Sequence, residues 1–384
     1  MLPLLLIALV QAVETPKPIE SLPPLVEDAQ AVSPDHKRIS ISTQDEGVWV
    51  IDIATKTVAF RVAPTKSVVE YVAWTRDSAK LGLLHRNADI EIVDAASGAV
   101  MKTFPSTSKN PVEWEKREIH FAAGGTVIVA ALGGPPTDIF NCDTGERIAQ
   151  IANDEQVMTT AMVLDRDGDL MALGDSKGLV TVWGTSTATK LHSRQVVPLE
   201  WPRRDRISAP RSNVHALAFD PTGSVLAIGG GDCTARLWEM GKDEQSLREF
   251  SHCDEDLFDD MKIGCVQISP DATKLLSTSY SFWEARVWDI ASGEVIAHCD
   301  YGGGNPIRMP AWFSSDGAYF TTSLDLKISR IADGTTSPPM GWPAPRVAWW
   351  SSDGDYAWTM RGGYFVVRKI PDEEPVLRIP VREK

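Results

Sequence analysis

One phrase recurs, blurred, eight times along this chain: an apolar run, a tight polar turn, a run of small residues, a run ending near Trp-Asp or its echo, and a closing run. The clearest copies begin at Val214 (VHALAFDPTGSVLAIGGGDCTARLWE) and at Val266. The third residues of the first turns are Asp35, Asp77, Gly124, Asp167, Thr222, Asp271, Asp316 and Asp353, spaced by 42, 47, 43, 55, 49, 45 and 37 residues. Self-similarity at such a period fixes the architecture before any residue chemistry is considered.

The period is close to the ~40–45 residues of a four-stranded propeller blade. Each unit also reads as strands locally. Alternating runs such as Ala216–Phe219 and Val225–Ile228 flank turns rich in Pro, Asp and Gly, and no window sustains a helical period. The expected fold is therefore all-β, a single propeller of eight four-stranded blades. Seven blades is the alternative, should the first unit lack a true first strand.

The termini differ from the repeat. Met1–Val10 (MLPLLLIALV) is apolar and is followed by Val10-Gln11-Ala12, a small-residue pattern suited to signal-peptidase cleavage. Ten residues fall short of the ~20 that span a bilayer. Residues 1–12 are read as a signal peptide and 13–27, with Pro16, Pro18, Pro23 and Pro24, as an extended linker. Residues 28–384 form the propeller. Pro23-Pro24 makes the linker a poor closing strand, so whole terminal blades should close the ring. Export as a soluble periplasmic, envelope or secreted protein is expected. The alternative is a cytoplasmic chain with a buried or frayed N-terminal segment.

The repeats resemble those of the WD40 family, most strongly at Arg236-Leu-Trp-Glu and Arg286-Val-Trp-Asp, and the resemblance covers nearly all of residues 28–384. It looks like a divergent, exported, bacterial-type member. The resemblance implies that an Asp before the third strand bonds a His from the preceding connection. The matching residues are Asp45, Asp232 and Asp325, six before Ile51, Trp238 and Ile331, with Trp238, Trp288 and Asp289 as further repeat positions. Gly-His is absent from every unit, and Ser251-His252 is the nearest match. The polar tetrad is accordingly expected to be incomplete, with order resting on apolar packing.

The charged connections stand out as candidate sites. The link between the fourth and fifth units is the longest and is basic, with Trp201, Arg203, Arg204 and Arg206, and Arg194 and Arg211 nearby. Arg interleaved with Trp is the composition of a recognition loop. The next link is acidic, with Asp254, Glu255 and Asp256. Both should emerge on one face, where they bind a partner or pair with each other. Cys233 and Cys253 belong to that face and are a candidate disulfide; no two of the five cysteines are spaced as CxxC.

Other features have plainer readings. Asp165-Arg-Asp-Gly-Asp resembles half a calcium loop but coincides with the first turn of the other units. Trp312, Phe313, Trp342, Trp349, Trp350, Trp358, Tyr364 and Phe365 are read mainly as blade packing. No GxSxG or Cys–His arrangement supports nucleophilic catalysis, and no cofactor or metal motif is found. A net charge of −14 opposes nucleic-acid binding. The function read from the sequence is a monomeric, non-catalytic scaffold for another protein or peptide. Two alternatives stand beside it: an enzyme with a site in the channel, of metal-assisted hydrolase or lactonase type, and a carbohydrate-binding module.

Overall fold

The computed structural model describes residues 19–64, 67–104, 117–132, 137–151, 157–198, 212–242, 247–252, 262–279, 284–300, 311–322, 327–336, 348–351, 353–372 and 374–382. They form eight antiparallel sheets in sequence order, blades 1 to 8, over residues 25–62, 69–104, 117–151, 159–195, 214–251, 263–300, 311–336 and 348–380. Seven blades have four strands. Blade 7 has three among the described residues, and an antiparallel bridge from Thr336 to Ser329 marks where a fourth begins. Among the described residues the remaining regular element is a single 3-10 turn, Ala123–Gly125. No helix among the described residues is long and apolar enough to cross a membrane.

Burial follows position within a blade. The second strands, such as Arg38–Thr43, Lys80–His85 and Lys274–Ser279, are buried at nearly every residue. Neighbouring blades cover both of their faces, so both alternating sets must be apolar or small. The outermost strands alternate instead, as in Val295–Asp300, because one face meets solvent.

The first turns are held by a repeated local device. Ser33, Thr75, Ser269, Ser314 and Ser351 each donate a hydroxyl hydrogen bond to the Asp two residues on, at 2.5–2.6 Å. That carboxylate stabilises the turn, and short polar side chains prefer such local bonds to a ladder.

Apolar clusters fill each gap between blades, for instance Val48 with Leu83, Ile92 with Ile128, Val129 with Met171, and Val182 with Trp238. The series continues through Leu237 with Trp288, Val287 with Phe320, and Ile328 with Ala357. Trp49 of blade 1 and Trp358 of blade 8 share the last cluster, which closes the ring.

The first unit has a true first strand, Leu25–Val32, so the count is eight. This strand begins inside the stretch expected to be linker. Leu22 makes a parallel bridge to Val381, with its N–H on the Pro380 carbonyl at 2.7 Å. Whole terminal blades do close the ring, and Leu22, fully buried, latches the outer edge of blade 8. The apolar segment 1–18 lies outside the described residues.

Candidate interaction face

Antiparallel order sends the second turn of every blade and the links between blades to one face, and the first and third turns to the other. Trp201, Arg203, Arg204, Arg206 and Arg211, and likewise Asp254, Glu255, Asp256 and Cys253, lie outside the described residues. The ends of their connections are described, and both meet one turn. At the end of the basic connection the Asn213 carbonyl accepts the Gly231 N–H at 2.9 Å; at the start of the acidic one the His252 N–H donates to the Cys233 carbonyl at 3.1 Å. The three-residue turn Gly231-Asp232-Cys233 is thus gripped from both sides. Cys233, with φ of 65°, is disulfide-bonded, whereas Cys142, Cys265 and Cys299 keep unoxidised thiols.

The basic connection is also anchored in blade 4. The N–H groups of Val196 and Val197 both donate to the Gly178 carbonyl, at 2.9 and 3.2 Å. Ser212 Oγ donates to the Ser176 carbonyl at 3.2 Å. Gly178 has φ of +82°, and a Cβ there would lie 2.4 Å from the Val197 carbonyl oxygen and 2.6 Å from that of Ser212. Only glycine lets both ends approach so closely. Arg194, in the strand that feeds the connection, places its guanidinium 5.9 Å over the Trp238 ring.

Asp232 bonds no histidine among the described residues: the place that His252 takes at the start of the next connection, with its N–H on the end of the preceding blade's second turn, is held by Val196 and Val197 before blade 5. Arg236 takes the role instead. Its Nη1 and Nη2 donate to the two Asp232 oxygens at 2.9 and 2.6 Å, and its Nε donates to Glu249 at 2.8 Å. Burial acts against the guanidinium's charge, but Asp232 and Glu249 outweigh it, and its pKa is raised. Of the other two matching residues, Asp45 is exposed and Asp325 lies outside the described residues.

The tetrad expected to be incomplete is complete at the boundary of blades 5 and 6. Trp288 Nε1 donates to Ser277 Oγ at 2.8 Å, Ser277 lies 2.7 Å from His252 Nε2, and His252 Nδ1 lies 3.1 Å from Glu284 Oε1. A neutral His252 with its proton on Nδ1 satisfies this network, with Ser277 donating to Nε2. Burial accordingly holds its pKa below the ordinary value, with Arg286 acting in the same direction and Glu284 against both. The acid is a Glu four residues before Trp288, where an Asp six residues before was sought. The longer arm makes up the distance, and Arg286 Nη2 holds the same carboxylate at 2.7 Å. Trp238 and Trp288 are buried in blade interfaces. Asp289 accepts the Ser292 N–H at 2.7 Å and shapes a turn on the opposite face.

A cavity of about 260 Å³ on the same face lies between blades 1 and 2, a site the sequence reading missed. Asp45, Val62, Pro64, Ser67, His85 and Glu91 are among its lining. His85 Nδ1 donates to the Ser67 carbonyl at 3.0 Å and Nε2 stands 3.2 Å from Glu91 Oε2. Burial alone would lower the His85 pKa, but the Glu91 carboxylate and the Ser67 carbonyl outweigh it and the pKa is raised. A buried histidine–carboxylate pair at a polar cavity can receive polar or charged groups of a ligand. No local motif announces it, since His85 and Glu91 flank an ordinary hairpin turn.

The remaining candidates are structural. Asp165 accepts the Leu170 N–H at 2.9 Å in an ordinary first turn. Phe313, Trp358 and Phe365 are buried, and Trp312 packs against the core between blades 7 and 8. Trp342 and the side chains of Trp349 and Trp350 lie outside the described residues.

Residues 203–239 match the family described as WD domain, G-beta repeat. The angio-associated migratory cell protein of Pongo abelii is 22% identical over 220 residues, 56% of this chain and 45% of that protein. WD repeat-containing protein slp1 of Schizosaccharomyces pombe is 23% identical over 194 residues, 43% of this chain and 38% of that protein. The chain therefore spans less than half the length of these relatives, which are eukaryotic and lend no support to a bacterial-type member. The crystal structure of the C-terminal WD40 domain of Sif2 superimposes with a TM-score of 0.67 at 15% identity, covering 93% of this chain and 99% of that one. The ring of eight blades and these matches together support a WD40 β-propeller.

Proposed function

We propose that the chain is an exported, non-catalytic scaffold that binds another protein through the connections at residues 196–213 and 252–262. The observation that carries this reading is the shared turn: Asn213 and His252 grip Gly231-Asp232-Cys233 from opposite sides, so a basic, Trp-bearing segment and an acidic one leave from a single rigid base. A rigid base lowers the ordering cost of two recognition segments, and Arg and Trp supply much of the binding energy at protein interfaces. WD-repeat relatives support an interaction scaffold in general. The bonded Cys233 and the apolar start of the chain support export to an oxidising compartment.

Affinity capture from the native cell fraction with the wild-type chain, R203A/R204A and D254N/D256N tests the binding surface. The expected result is a defined partner retained by the wild type and lost with either variant at unchanged melting temperature. Equal retention by all three would refute it. Mass spectrometry of the mature N-terminus tests export: a chain starting near residue 13 is expected, and a cytosolic chain retaining Met1 contradicts it.

A further inference from the structure

The first turns repeat a common pattern, and blade 1 departs from it. His36 occupies the position that Ser78, Gly125, Gly168, Gly223, Ala272, Gly317 and Gly354 fill in the other seven blades, all with positive φ. Such a backbone favours glycine and disfavours a large side chain. His36, with φ of 60°, is therefore not what the turn itself calls for.

Its side chain reaches across the ring closure. Nε2 contacts Asp353 Oδ2 of blade 8, and the ring centroid lies 4.9 Å from that of Tyr356. Asp355 stands beside it, and one donor atom each from His36, Asp353 and Asp355 lie within 4.8 Å of one another. The two carboxylates are aimed by their surroundings. Asp353 Oδ1 accepts the Ser351 hydroxyl at 2.6 Å and the Asp355 N–H at 3.1 Å, and Asp355 Oδ1 accepts the Ser315 N–H of blade 7 at 3.1 Å. The repeated turn device explains Asp353 Oδ1. It does not explain the second oxygen facing an imidazole, nor the second carboxylate beside it.

We propose that His36, Asp353 and Asp355 bind a first-row divalent cation, with Zn²⁺ the best fit, which staples blade 8 to blade 1. One imidazole nitrogen and two carboxylate oxygens are a three-ligand set for zinc that leaves a fourth position for water. The nitrogen disfavours Mg²⁺ and Ca²⁺, which take all-oxygen sites. On binding, His36 Nε2 and Asp353 Oδ2, which contact each other directly, part to admit the cation and Asp355 turns toward it, so that all three meet it at about 2.0–2.2 Å. Hydrogen bonds to Asp353 Oδ1 and Asp355 Oδ1 orient the two carboxylates, as outer partners do in metal sites.

The test is Zn²⁺ titration of the full chain, freed of metal with chelator, followed by calorimetry and thermal melting. One equivalent should bind, and melting should rise by roughly 3–4 °C at a hundredfold excess over Kd. Mg²⁺ and Ca²⁺ should leave it unchanged. H36G, which restores the residue most other turns carry, and D355N should both abolish the rise. A rise that persists in folded H36G and D355N, or no binding to the wild type, overturns the site. X-ray absorption of the zinc-loaded wild type needs no variant: one imidazole with oxygen ligands is expected, and sulfur or several imidazoles would contradict the assignment.

Discussion

Arg236 clasps Asp232 through two parallel hydrogen bonds of 2.9 and 2.6 Å, with the two side chains only 4% and 1% exposed. The pair stands in for the His–Asp contact of a WD40 repeat and fixes the turn on which both charged connections rest. Arg236→Ala strands a buried carboxylate and should cost about 3–5 kcal/mol in urea unfolding. The double variant D232N/R236M should recover part of the loss, since it leaves no buried charge unpaired. A single variant within 1 kcal/mol of wild type would show that the turn does not depend on the pair.

The two buried histidines should respond to pH in opposite directions. His252 has a lowered pKa, so the unfolded chain binds its proton first; its contribution is present above the ordinary value of 6.5 and is lost as pH falls below it. His85 has a raised pKa, so its contribution is full below 6.5 and is lost as pH rises through the folded value. In stability-versus-pH curves, H252Q should flatten the acid-side fall and H85Q the loss above 6.5. Parallel curves for wild type and either variant would contradict the assigned direction for that residue.

Gly178→Ala should loosen the base of the basic connection. The added Cβ meets two carbonyl oxygens at 2.4 and 2.6 Å in a backbone with positive φ, so the chain must shift. A loss of about 1–3 kcal/mol is expected from strain of this kind. Amide exchange should rise at Val196 and Val197, whose N–H groups bond this residue. Unchanged exchange there would argue that the anchor is dispensable.

Thiol counting on the denatured chain, unfolded without reductant, should find three reactive cysteines of the five: Cys142, Cys265 and Cys299. Burial pushes the Cys142 and Cys265 thiols up to about 11, so the folded chain should react more slowly than the denatured one. Five reactive thiols in the denatured chain would contradict the bonded state of Cys233.

The blades were legible in the sequence because their signals are local. A turn such as Ser269-Pro-Asp-Ala and the alternation around it lie within a few residues, and eight such signals in series leave few other folds. Contacts that join distant segments were not legible. His252, Ser277 and Glu284 come from three segments, and the Glu departs from the position where an Asp was sought. His85 and Glu91 face each other within one hairpin, but they become a buried pair at a cavity only when blade 1 and its link to blade 2 cover them. His36 sits 317 residues from Asp353, and only ring closure brings them together. The Leu22 latch escaped for a related reason: Pro23-Pro24 breaks the strand pattern, yet one residue suffices for a parallel bridge.

Hydrogen–deuterium exchange of the chain alone and in complex with its captured partner tests the central claim most directly, because it reports which face is covered. Protection should appear at residues 196–213 and 252–262, with no change in the first turns at 75–79 and 269–273 on the opposite face. Protection confined to those first turns, with both connections unchanged, would contradict the account.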